Sequence, residues 1–132
     1  MGEKLTYYDF AEDDFQYFFG SYKANLKHNT MCAMAQNSIE KYLKYIIEKY
    51  ITNKDCSYIL KSHSLLKLIR FIQENLNDFD INSNKIKLCD GYYFSARYPG
   101  EDSFMVKEED IEICKDVLIY CKQFIDEYIK NH

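Results

Sequence analysis

The chain has no tryptophan, one proline (Pro99), four glycines and two arginines (Arg70 and Arg97) in 132 residues. Proline and glycine are the residues that most readily interrupt a helix, so their scarcity leaves long stretches in which one can run. Positive charge is not in excess either. A formal net charge of −4 argues against sequence-independent binding to duplex DNA, which needs a basic face. Five cysteines (Cys32, Cys56, Cys89, Cys114 and Cys121) are an odd number with no C-x-x-C spacing. That argues against a zinc site and a disulfide framework, and fits a reducing compartment. No apolar run approaches the roughly 20 residues that span a bilayer. Met1-Gly2-Glu3-Lys4 leads into an acidic amphipathic stretch without an apolar signal core. The expectation is a cytoplasmic protein with no membrane contact, metal or cofactor.

Aromatic residues are plentiful, with thirteen tyrosines and nine phenylalanines. Tyrosine at this density fits an amphipathic interface as well as a core. The length fits one domain over residues 1–132. Apolar residues recur at three- and four-residue steps almost throughout. Tyr8, Ala11, Phe15, Phe18, Phe19, Tyr22 and Leu26 mark a first helix from Thr6 to about His28, with Gly20 as a point of close approach. Asn29 or Thr30 is available to cap a second helix, Met31 to Tyr50. That helix places Ala35, Ile39, Tyr42, Leu43, Ile46 and Tyr50 on one face and the Glu40–Lys44 pair, with Lys41, on a wet one.

A loop follows from Ile51 to about Lys61. Ser62 or Ser64 caps a third helix carrying Leu65, Leu68, Ile69, Ile72 and Leu76. Residues 75–84 are rich in turn formers and read as a loop. A fourth helix is expected from about Ser83 to Tyr98, stopped by Pro99, and a last one from about Lys107 with acids in its first turn. Nothing alternates with period two, so the expected fold is all-α, an up-and-down bundle of four to five helices.

The stretch Tyr92 to Gly100 separates two strongly periodic segments. Arg97 there fits two roles. It is a cation matched to the negative end of a helix dipole, or an anion-binding guanidinium flanked by the stacking rings of Tyr93 and Tyr98. Lys41 and Lys44 fit either a solvated charged face or contacts to a phosphate-bearing ligand. His63, at a helix start, fits capping or packing. As a catalytic group it needs a partner that local sequence does not supply.

Three pieces stand in a fixed order: Ala35-Gln36-Asn37-Ser38-Ile39-Glu40-Lys41-Tyr42-Leu43-Lys44, then His63-Ser64-Leu65, then Tyr93-Phe94-Ser95-Ala96-Arg97-Tyr98-Pro99 before a long final helix. Together they resemble the HEPN domain, whose pattern is A-Q-x-A-x-E-K-x-L-K, a histidine at a helix start, and Y-x-x-x-R-Y-P. Ser38 stands where the family commonly has alanine. The resemblance covers nearly the whole chain. It implies a homodimeric helical bundle, often the companion of a separately encoded minimal nucleotidyltransferase in a toxin–antitoxin-like pair, with a nucleotide as ligand. Arg97, Tyr98, Tyr93, Lys44, Lys41 and His63 are then the candidate binding residues, with no catalytic residue assigned. The alternative is an interaction or dimerisation protein without a small ligand. Other HEPN branches are metal-independent ribonucleases with Arg followed four to six residues later by His. Neither Arg70 nor Arg97 is followed by such a histidine, which removes the family's acid–base group for RNA cleavage.

Overall fold

Thr6 starts the first helix, α1 (Tyr7–Lys23), with a reciprocal cap. Its hydroxyl accepts from Asp9 N at 3.3 Å, and its own N–H donates to Asp9 Oδ2 at 2.7 Å. The computed structural model describes residues 4–26, 30–90 and 107–132. Asn29, Gly91, the Tyr92–Gly100 hinge with Tyr93, Arg97, Tyr98 and Pro99, and the loop expected up to Val106 lie outside the described residues.

Helix α1 stops earlier than the apolar pattern predicts. Asn25 takes a left-handed φ of 58°, a conformation asparagine tolerates better than most residues. Leu26 N then donates to Ser21 O at 2.9 Å and Asn25 N to Tyr22 O at 3.1 Å. These paired bonds close the helix as a Schellman motif. Leu26, expected on the apolar stripe, is 62% exposed. Gly20 does not mark a close approach either, since a Cβ there would meet nothing within 4 Å.

Helix α2 (Met31–Tyr50) packs on α1 and on two later helices, α4 (Leu65–Asn75) and α6 (Glu108–Lys130). A helix enclosed on three sides is buried almost all round, and this overturns the expected wet face. Glu40 and Lys44 are 6% and 5% exposed. Ser38 is also fully buried, and its Oγ donates to the backbone carbonyl of Ala11 at 2.8 Å. The small side chain permits the close α1–α2 contact and its hydroxyl fastens it.

Two single-turn helices complete the set. Within the expected loop, α3 (Ser57–Leu60) forms where Asp55 Oδ1 accepts from Ser57 N at 2.9 Å. The expected fourth helix is much shorter in its described part. Helix α5 (Ser83–Ile86) passes into a 3-10 turn, Lys87–Cys89, and Asp90 is extended with ψ 141°. The cause is non-local: Asp90 turns its carboxylate to the start of α4, accepting from Leu65 N at 3.1 Å and Leu66 N at 3.3 Å. Ser64 caps the same end, accepting from Lys67 N at 3.3 Å. The polar connection before α5 still contributes to the core, with Phe79 and Ile81 buried and their carbonyls held by Gln73 Nε2.

Helix α6 begins after Lys107 with Glu108, Glu109 and Asp110 in its first turn, and buries the expected stripe from Ile111 through Cys114, Cys121 and Tyr128. Its links to α1 run in opposite order along the two chains: Tyr22 with Glu112, Glu12 with Lys122, Tyr8 with Asp126. The two helices are therefore antiparallel. The described residues contain six α-helices and no strand, and the four long ones form the expected all-α bundle. No described helix is long and apolar enough to cross a membrane.

Candidate functional site

The buried charges of α2 converge on the turn that precedes α4. Gln36, Glu40 and Lys44 recur every fourth residue, so they line one stripe of α2. Gln36 Nε2 donates to the His63 carbonyl at 3.3 Å and fixes the backbone of that turn. Glu40 uses both carboxylate oxygens. Oε2 accepts from Lys44 Nζ at 3.0 Å, and Oε1 lies 3.1 Å from His63 Nδ1. Two buried ions are tolerated because each has a partner. Among the described residues no buried side-chain nitrogen or oxygen lacks a hydrogen bond.

The cluster has one exposed member. The side chains of Glu40 and Lys44 are 8% and 6% exposed, whereas that of His63 is 55% exposed. With Nδ1–H donating to Glu40, a neutral His63 ring carries its acceptor lone pair on Nε2. A carboxylate that fixes ring orientation and tautomer is the arrangement by which histidines are set for proton transfer or for binding an anion as the imidazolium. Lys44 positions Glu40, which in turn positions His63. It is not itself presented to a ligand.

The remaining candidates divide. Lys41 is not brought to this cluster. Its ammonium lies 2.6 Å from Asp14 Oδ2 and ties α2 to α1. Arg97, Tyr98 and Tyr93 lie outside the described residues. Sequence reasoning missed Glu40 as the partner of His63, and Gln36 with it. The i, i+4, i+8 spacing of three polar residues on α2 was the available signal.

A second charged cluster serves the fold. Lys122 of α6 reaches Glu12 of α1 and lies 2.8 Å from Asp126, with the rings of Tyr8, Phe15 and Tyr42 about its ammonium. Burial opposes its charge, but the hydrogen bonds to Asp126 and Glu12 win and raise its pKa. Tyr42 donates to Glu12 at 2.8 Å, and burial followed by that carboxylate pushes its phenol up. Both groups thus hold their protons and join three helices. Among the described residues there is no group of three or more His, Cys, Asp or Glu able to hold a metal.

These features define an all-α up-and-down bundle with a carboxylate–histidine–lysine cluster where its second long helix meets its third. The chain belongs to the HEPN family, and residues 6–132 match the HEPN domain. No curated protein and no solved structure matches it.

Proposed function

We propose that this HEPN protein is a non-catalytic ligand-binding module, a single cytoplasmic domain over residues 1–132. It takes a nucleotide or other phosphorylated ligand, acts as a homodimer, and works beside a separately encoded minimal nucleotidyltransferase in a toxin–antitoxin-like pair. The observation that carries the reading is the exposed His63 ring held at Nδ1 by a buried carboxylate that Lys44 neutralises. In its protonated form a ring so oriented has a directed charge-assisted donor for a phosphoryl oxygen. Arg97 adds a bidentate contact, and Tyr93 and Tyr98 supply rings on which a base stacks.

A thermal-shift screen against nucleotides tests this. A ligand that binds only the folded state raises the melting temperature as its concentration passes its Kd. The expected result is a shift that is lost in folded His63→Ala and Arg97→Ala variants. No shift with any nucleotide moves the reading to an interaction protein without a small ligand.

One observation favours a second reading. The His63–Glu40 contact supplies a base with its orienting group, which the Arg-to-His spacing did not. A ribonuclease reading requires metal-independent cleavage of single-stranded RNA that His63→Ala abolishes. Absence of cleavage at high protein concentration removes it.

A further inference from the structure

One groove on the described surface includes none of Gln36, Glu40, Lys44 and His63 in its lining. It is an open groove of about 450 Å³ between α4 and α5, floored by Leu66 and Ile69 and flanked by Arg70 and Lys87. Its walls are fixed. Gln73 clamps the carbonyls of Phe79 and Ile81, Asn82 caps α5 by accepting from Lys85 N at 3.2 Å, and Asn82 N donates to the Tyr120 hydroxyl of α6 at 2.9 Å.

The cations in this groove are uncommitted. Lys41, Lys44, Lys115 and Lys122 all sit in ion pairs. Arg70 and Lys87 are exposed and, like the other described lysines, form none among the described residues. Glu74 follows Arg70 by four residues, the usual pairing distance on a helix. It lines the same groove and forms no ion pair with Arg70.

We propose that this groove binds a phosphate monoester of about mononucleotide size. Arg70 provides a planar fork for two phosphoryl oxygens and Lys87 a point charge. Ser83 and Asn84, on the facing wall, add a hydroxyl and an amide donor. Leu66 and Ile69 offer an apolar floor to the body of the ligand. Glu74 accepts from a hydroxyl or amine on that body and repels additional phosphates, so the groove selects a monoester over a triphosphate. The volume is within the range of about 300–1,000 Å³ typical of small-molecule sites. His63 is not part of its lining, and the groove stands whether or not His63 binds a ligand.

The test is an amide NMR titration of the full chain with AMP, and with ATP for comparison. The groove predicts saturable shifts at Ile69, Glu74, Ser83 and Asn84 that weaken with added salt, with ATP binding no tighter than AMP. Arg70→Gln and Lys87→Gln should each weaken AMP by about tenfold, the loss of one charge-assisted contact. Lys67→Gln, an equal loss of charge outside the groove, should leave binding unchanged. Shifts confined to residues around His63 would overturn the groove and leave the His63 function standing. Undiminished AMP affinity in either Arg70→Gln or Lys87→Gln overturns it too, and Lys87→Gln decides if Arg70→Gln fails to fold.

Discussion

Lys44 carries an ammonium into the protein with 6% of its side chain exposed, and one carboxylate, Glu40, offsets it. Deleting one member of a buried pair is far worse than deleting both, because it strands the other charge. Lys44→Met is therefore expected to cost about 3 kcal/mol in urea unfolding, and the Glu40→Gln/Lys44→Met double variant less than the two single losses added. Simple additivity would show that the two charges are uncoupled.

His132 offers a pH-dependent counterpart at the surface. It contacts Asp78, stacks on Tyr128 at 3.9 Å between centroids, and shares Asp78 with the Tyr128 hydroxyl, which donates at 2.9 Å. The Asp78 carboxylate, then the Tyr128 carbonyl, hold His132 above 6.5. His132, then the Tyr128 hydroxyl, hold Asp78 below 3.8. A raised histidine stabilises fully below its ordinary value and loses that contribution as pH rises through the raised one. A lowered carboxylate stabilises above its ordinary value and loses it as pH falls through the lowered one. The melting temperature of the wild type should therefore exceed that of His132→Ala most at about pH 5, with a smaller gap at about pH 8. A gap constant across that range would contradict the pairing.

At the scale of elements, α4 depends on a cap from 25 residues further along the chain. Asp90 accepts two of the N–H groups that a helix start leaves without intrahelical partners. Asp90→Ala should cost about 1–2 kcal/mol and speed hydrogen exchange at the Leu65 and Leu66 amides. Unchanged exchange at those two amides would mean that Ser64 suffices.

Such contacts separate what the sequence discloses from what it does not. The start of α1 at Thr6, a serine cap for α4 at Ser62 or Ser64 and the buried stripe of α6 are local, fixed by periodicity and near neighbours, and all are legible. Periodicity sorts α2 into faces, but it does not say that α1, α4 and α6 cover nearly all of them. Glu40 and Lys44 were therefore misplaced in water. His63 and Glu40 meet across 23 residues and Asp90 reaches back to α4, so neither contact leaves a local pattern. Phe79 and Ile81 were hidden in a run of turn-forming residues because burial there depends on the clamp from Gln73.

For the whole molecule, the bundle places His63 on the surface while α2, which orients it, is locked to α1 through Ser38 and Lys41, and to α6 through Glu12, which Tyr42 and Lys122 share. The site is thus supported by the rigid part of the fold, which lowers the cost of organising it on binding. The proposed homodimer predicts a sedimentation-equilibrium mass of two chains, and a single-chain mass at every concentration would exclude it. The most direct measurement is isothermal titration calorimetry with ATP on the wild type and His63→Ala, each first shown to be folded by circular dichroism. The His63–Glu40–Lys44 site predicts saturable binding that His63→Ala weakens by about tenfold or more. Binding undiminished in that variant, or no binding by the wild type, would contradict a nucleotide site at His63.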